Sequence, residues 1–282
     1  MRILQLNFER GWRGGERQTL LTMQQLTLAG RQVELLARKG GELARRALEQ
    51  GFVVHQCDGV PAVCRFLISR RRAYDVMHAQ TANMMSWLAF LRPFLKTRVV
   101  FTRRTAFPLQ KHEARNVWKW RQADVLVAIS EAAAAEPRRL GFDVAVVPSA
   151  VELRPLNVDH LHAFARSHAL EGRRVLATAA ALTAEKDPLT LVEAVHLLAK
   201  QRDDFVFLHL GGGGSEEAAA RERVKALGME QVYLFAGFHA GIDDLYRLMD
   251  VFVLSSRYEA LGTSVLDAFL YGVPVVATDA GG

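Results

Sequence analysis

The stretch Ser255-Ser256-Arg257-Tyr258-Glu259-Ala260-Leu261-Gly262-Thr263-Ser264-Val265-Leu266-Asp267 runs on into Gly272-Val273-Pro274-Val275-Val276-Ala277-Thr278. It reads as a loop, a helix beginning near Gly262, a glycine turn and a strand. Glu259 lies in the loop, and Asp267, eight residues on, lies about a turn inside the helix. A helix N-terminus offers unpaired amides and the positive end of the helix dipole, where a diphosphate can sit. Carboxylates on either side accept hydrogen bonds from hydroxyls, the usual grip on sugars and riboses. Residue types and order therefore suit a sugar joined to a diphosphate. An ordinary helix with a solvated cap and one surface acid would share the spacing.

Ahead of this stretch, strand-like runs alternate with helix-like stretches from the start of the chain. Strands are expected at Ile3 to Asn7, Val33 to Ala37, Phe52 to His55, Val76 to His78, Val99 to Thr102, Val125 to Ile129 and Val144 to Val147. Helical periodicity falls between them, as at Glu16 to Ala29, Leu43 to Glu49 and Glu131 to Leu140. After a polar connection a second series begins, with strands at Val175 to Ala179, Phe205 to Leu210, Val232 to Phe235, Val251 to Leu254 and Val275 to Ala277. Its helices are expected at Leu189 to Lys200, Glu216 to Leu227, Ile242 to Met249 and Thr263 to Tyr271. Such alternation means α/β domains, each a parallel sheet with helices on both faces. Ligands in such sheets bind at the carboxyl ends of the strands, so the facing edges of two tandem domains would form a cleft.

Glu259, the seven residues that follow, Asp267 and the Gly-x-Pro-Val-Val-Ala strand together resemble the donor signature of the retaining GT-B glycosyltransferases of family 4. The resemblance implies two Rossmann-like domains facing a cleft. It implies that Glu259 contacts the transferred sugar, that the amides of Gly262, Thr263 and Ser264 hold the phosphates, and that Asp267, where the family most often has Glu, binds the ribose. In Ala180-Ala181-Leu182-Thr183-Ala184-Glu185-Lys186, Lys186 matches the family lysine that neutralises the diphosphate. Ala181 stands where the family usually has an arginine, which leaves the Thr183 hydroxyl or another group to compensate. Gly14 and Gly15, in Gly11-Trp12-Arg13-Gly14-Gly15-Glu16, match the family's Gly-Gly loop, which approaches the donor across the cleft; a tight turn without a ligand is the other reading. Gly237, in Phe235-Ala236-Gly237-Phe238, matches the segment lining the base pocket, and Gly211 to Ser215 match a turn beside the nucleotide. Where many members carry a histidine near the reacting sugar, Arg103 and Arg104 follow the strand, and Arg103 is expected to bind the acceptor or stabilise charge. His78, at the end of another strand, is the weaker candidate.

Composition bounds the partners. The 282 residues carry a net charge of +6, divided between 24 Lys/Arg and 12 Asp/Glu in residues 1–150 and 12 against 18 in residues 151–282. A net +12 in the first half attracts anionic glycolipids or an anionic membrane surface. Arg70-Arg71-Arg72, Lys111-His112, Arg115, Lys119 and Arg121, with Trp118 and Trp120 interleaved, form the expected basic and aromatic surface for peripheral contact with the inner membrane. A solvated surface in an arginine-rich organism would give the same totals. Nucleic acid ranks below, since no recognition motif accompanies the charge. Gly-x-Gly-x-x-Gly is missing from the first turn, which counts against a dinucleotide enzyme. Cys57 and Cys64 are expected to be free thiols, and the nine histidines have no metal-ligand spacing. No apolar run has the length of a membrane span and the start of the chain turns polar early, so a cytoplasmic protein is expected.

The resulting expectation is an acceptor-side domain over 1–152, a linker over 153–172 and a nucleotide-sugar-binding domain over 173–282. That second domain stops in a glycine turn and is expected to be incomplete. The expected activity is metal-independent, retaining transfer of a sugar from a nucleoside diphosphate to an anionic glycan or glycolipid, such as lipopolysaccharide core, with no cofactor. A sugar-nucleotide epimerase on the same fold, or a non-catalytic nucleotide-sugar-binding module, are the alternatives.

Overall fold

The computed structural model describes residues 1–109, 113–239 and 241–282. The chain forms two compact units that divide between Ala150 and Val151.

The first unit is built on a seven-stranded parallel sheet. Its strands are β1 (Arg2–Asn7), β2 (Gln32–Arg38), β3 (Val53–Cys57), β4 (Val76–Ala79), β5 (Arg98–Arg103), β6 (Val125–Ala128) and β7 (Ala145–Val146). Helices α1 (Gly14–Leu28), α2 (Glu42–Glu49), α3 (Val60–Ser69), α4 (Ala82–Leu91), α5 (Glu113–Trp120) and α6 (Glu131–Arg139) connect them, and a 3-10 turn at Arg92–Phe94 follows α4. The order β3-β2-β1-β4-β5-β6-β7 reverses direction between β1 and β4. At such a reversal the loops leaving the two strands diverge and open a crevice at their carboxyl ends. Leu4, Leu6, Leu35, Leu36, Met77 and Val99 are fully buried, as expected of central parallel strands covered on both faces.

The second unit carries α7 (Val158–Ser167), β8 (Arg174–Ala179), α8 (Pro188–Ala199), β9 (Phe205–Leu210), α9 (Glu217–Ala226), β10 (Tyr233–Gly237), β11 (Val251–Leu254), α10 (Thr263–Leu270) and β12 (Val275–Ala277). Its five-stranded sheet has the order β10-β9-β8-β11-β12 and reverses between β8 and β11. All six residues of β9 are buried. The helix expected over Ile242 to Met249 is a 3-10 turn at Asp244–Leu248.

Residues 153–172, expected as a linker, contain α7, capped by the Asn157 side chain accepting from the His160 amide at 3.0 Å. Phe164 and Leu170, each 5% exposed, join the core that holds Val175, Tyr246 and Leu254. The polar composition of this segment masked two anchoring apolar residues, and the segment belongs to the second unit. Cys57 and Cys64 are free thiols.

Candidate functional site

In the second unit the loops leaving β8 and β11 diverge at the reversal of strand order, and a charged group from each meets there. Lys186 comes from the first loop and Glu259 from the second, and the Lys186 ammonium donates to Glu259 Oε2. The same carboxylate oxygen accepts from Ser256 Oγ at 3.2 Å. Both charged side chains are partly buried, at 24% and 19% exposure, so the pair can still meet a ligand.

The two loops are also joined through their backbones. Ser255 Oγ donates to the carbonyls of Lys186 and Asp187 at 2.9 and 3.0 Å, and the Arg257 amide donates to the Glu185 carbonyl at 2.8 Å. The Arg257 guanidinium donates to Asp187 Oδ2 at 2.8 Å. Asp187 also caps α8, accepting from the Thr190 amide and hydroxyl. Burial pushes the Asp187 carboxyl up, but Arg257 and Thr190 outweigh it and hold the group below the usual carboxylate range.

Gly262 ends the β11 loop at φ +68° and precedes α10. A Cβ there would lie 3.3 Å from Glu259 Cγ, so glycine lets the turn fold back over the acid. Thr263 and Ser264 are the first residues of α10, among those whose amides an α-helix leaves without intrahelical partners. The structure therefore brings Lys186, Glu259, Gly262, Thr263 and Ser264 to one place. Asp267 sits one turn further in and is only 4% exposed.

The glycine turn after β9 acts on the same loop from behind. Gly211 and Gly214 take φ values of +142° and +136°, and a Cβ at either would fall 1.9 Å from the Ala180 carbonyl oxygen or 2.1 Å from that of Leu182. Leu182 N donates to Gly213 O at 3.1 Å, and Glu216 N donates to Leu182 O at 3.0 Å. These glycines let two backbones touch and so buttress the loop that carries Lys186. Gly237, at φ +79°, accepts from the Gly211 amide at 2.8 Å at the end of β10.

In the first unit, Gly14 and Gly15 open α1 behind Glu16, whose carboxylate accepts from the Arg13 amide at 3.0 Å and from Asn7 Nδ2 at 3.2 Å. A cavity of about 350 Å³ lies alongside, lined by Gln18, His78, Thr102, Arg104 and Ser149 among others. Arg104 donates to Gln80 Oε1 at 2.5 Å and to Ser149 Oγ at 3.2 Å. His78 Nε2 and Thr102 Oγ1 are hydrogen bonded at 2.7 Å. Burial first, and then the Arg104 charge, hold the His78 imidazole neutral with a pKa of about 3.

Arg103 is not in this group. It is 4% exposed and donates to the Ala133 and Phe107 carbonyls at 2.9 and 2.5 Å, with its guanidinium 5.4 Å from the centre of the Trp120 ring. At the end of β5 the Arg103 side chain turns to Ala133 of α6 and Trp120 of α5, while Arg104, the first residue past the strand, lines the cavity. Arg103, expected to bind the acceptor or stabilise charge, directs its guanidinium to two backbone carbonyls and the Trp120 ring rather than to the cavity. Trp120 and Lys119, expected on the basic surface, are buried, while Trp118 is 47% exposed. Lys111 and His112 lie outside the described residues. Sequence reasoning missed Ser256 and the Arg257 to Asp187 pair, although Ser256 and Arg257 stand inside the quoted signature.

A family described as Glycosyltransferase Family 4 matches residues 12–154, and one described as Glycosyl transferases group 1 matches residues 162–282. A segment of 122 residues is 39% identical to mannosylfructose-phosphate synthase of Agrobacterium fabrum, covering 40% of this chain and 26% of that protein. Another, of 65 residues, is 46% identical to the lipopolysaccharide core biosynthesis mannosyltransferase LpsB of Rhizobium meliloti, covering 23% of this chain and 18% of LpsB. The matches thus span about a quarter or less of these relatives' length. Among solved structures, Anabaena Alr3699/HepE in complex with UDP and glucose aligns with a TM-score of 0.88 at 18% identity, over 100% of this chain and 82% of that one. This likeness carries the fold, which is GT-B.

Proposed function

The chain belongs to glycosyltransferase family 4, and from that premise we propose that it moves a sugar from a nucleoside diphosphate donor to an acceptor hydroxyl with retention at the anomeric carbon. The observation that carries the reading is the meeting of Lys186 and Glu259 at the β8/β11 reversal, beside the N-terminus of α10. An ammonium and a helix N-terminus converging on one point favour a diphosphate, above all as it gains charge on leaving. A carboxylate next to them accepts from sugar hydroxyls.

In the proposed step the bond from the anomeric carbon to the diphosphate oxygen breaks, and the acceptor oxygen bonds to that carbon on the same face. The acceptor proton passes to a donor phosphate oxygen, so no side chain serves as nucleophile. Lys186 and the amides of Thr263 and Ser264 hold the leaving diphosphate. Glu259 exchanges its bond to Lys186 for bonds to the sugar, and Asp267 serves the ribose. Gly237 borders the base. Positive charge for the departing group comes from the protein in this scheme.

The acceptor side is the first unit, where the net charge of +12 over residues 1–150 favours an anionic glycan or glycolipid of the lipopolysaccharide core kind. Two relatives are named for mannosyl products or transfer, which makes a mannose donor the first to try. The test is calorimetric titration with uridine, guanosine and adenosine diphosphate sugars of the chain and of Lys186→Ala and Glu259→Ala. Binding of one donor, weakened by both substitutions, is expected. Donor binding that neither substitution changes would overturn the assignment of the site.

A further inference from the structure

The basic excess of this chain is concentrated in one segment. Residues 59–123 contain 13 Lys/Arg against two acids, Asp75 and Glu113, a net +11, while the rest of the chain is net −5. Eight of these cations, from Arg65 to Arg121, are exposed. Among the described residues none of the eight is ion-paired with a carboxylate. Glu113, by contrast, is already paired with Arg139.

The segment forms α3, α4 and α5, which pack side by side, α3 on α4 and α4 on α5. The Lys96 amide donates to the Arg71 carbonyl at 3.3 Å and draws the ends of α3 and the 3-10 turn together. Arg92 donates to both oxygens of Asp124 at 2.8 and 2.9 Å, which ties the end of α4 to the chain leaving α5. Around this junction stand three large aromatic side chains in solvent: Phe90, Phe94 and Trp118, at 68%, 60% and 47% exposure. Arg115 on α5 and Arg121, in the turn just past its end, lie three residues before and after Trp118, and all three are exposed.

We propose that the outer surface of α3, α4 and α5 docks the first unit on an anionic lipid bilayer, with Phe90, Phe94 and Trp118 entering the interface and the unpaired cations meeting lipid headgroups. Aromatic rings with adjacent Arg and Lys side chains suit the bilayer boundary, where ring and cation lie at the headgroup level. A solvated basic face has no use for three exposed aromatic rings. The Arg92 to Asp124 pair precedes β5 and β6, at the amino ends of the strands, so docking there leaves the carboxyl edge of this sheet uncovered. The surface uses none of the residues assigned to the donor, and the inference stands apart from the proposed reaction.

Co-sedimentation of the 282-residue chain with phosphatidylcholine vesicles, with and without phosphatidylglycerol, tests it. Binding is expected only with the anionic lipid and is expected to weaken as salt rises. Arg115→Gln with Arg121→Gln should lower the partition coefficient on the order of 30-fold, at roughly fivefold for each cation lost. Phe90→Ser with Trp118→Ser should also release the protein, with the melting temperature recorded so that unfolding is not mistaken for release. Equal binding to neutral vesicles, no binding, or wild-type binding by both folded variants would overturn the proposal. Binding of a mixed-sequence oligonucleotide without vesicle binding would overturn it too and assign the surface to nucleic acid.

Discussion

Lys186 and Glu259, 73 positions apart in the chain, form an ion pair between the loops that leave β8 and β11. Partly exposed pairs contribute about 0–1 kcal/mol to stability, so stability alone gives little reason to place one at the reversal of strand order. Lys186→Ala and Glu259→Ala should each lower kcat/KM by roughly 10²–10³, the usual cost of losing one preorganised charge-stabilising group. Their unfolding free energies should stay within about 1 kcal/mol of the parent. Donor turnover and chemical denaturation, measured on the same samples, separate the two effects. Activity that falls only in step with the folded fraction would make the pair structural.

Much of this site was legible because its chemistry is local in sequence. Glu259, Gly262, Thr263 and Ser264 lie within six residues, and the alternation of strands and helices already implied that the loops after β8 and β11 share one edge. Arg103 shows what was not legible. Two adjacent arginines at a strand end are expected to part, but which of them meets packed helices and which meets a cavity depends on where the chain crosses over. The same limit applies to Trp118 and Trp120, two residues apart on a helix, one exposed and the other packed 5.7 Å from Phe142. Residues 153–172 were misread because Phe164 and Leu170 are sparse anchors in a polar stretch.

His78 should stay neutral through the physiological range. Burial and the nearby Arg104 charge put its pKa at about 3, against 6.5 for an ordinary histidine. A folded pKa below the unfolded one means that the unfolded chain binds the proton more readily. His78 therefore contributes stability above about pH 6.5 that is lost as the pH falls toward 3. Its imidazole resonances should not titrate between about pH 5 and 8. Arg104→Gln should raise the midpoint but leave it below the ordinary value, because burial, the larger cause, remains. A wild-type midpoint near that ordinary value would contradict the desolvated setting of the imidazole beside Thr102.

Asp187 combines a helix cap, a left-handed backbone at φ +46° and the bond to Arg257. Asparagine can supply the cap and tolerate the backbone, whereas alanine can do neither. Asp187→Ala should lose about 1–2 kcal/mol and Asp187→Asn much less. Because the carboxyl is held below its usual range, its contribution is present above the ordinary carboxylate pKa and declines as the pH falls through the lowered value. Denaturation curves at neutral and acidic pH should show the gap between parent and Asp187→Asn closing on acidification. A gap independent of pH would remove the Arg257 bond from the account.

Gly211 and Gly212 offer a matched pair in one turn. At Gly211 a Cβ would meet the Ala180 carbonyl oxygen at 1.9 Å in a backbone conformation at φ +142°, while at Gly212 the nearest atom is the Phe238 nitrogen at 3.9 Å. Neighbouring substitutions of the same size should therefore act differently. Gly211→Ala must move the start of the Lys186 loop or distort the turn, at a cost of at least about 1–3 kcal/mol. Gly212→Ala should stay within about 0.5 kcal/mol of the parent. If the turn acts by supporting that loop, Gly211→Ala should also weaken donor binding at temperatures where it remains folded, and Gly212→Ala should not. If the turn instead contacts the nucleotide, both alanines should weaken binding whatever their stability. Melting curves and donor titrations on the two variants distinguish a buttress from a contact.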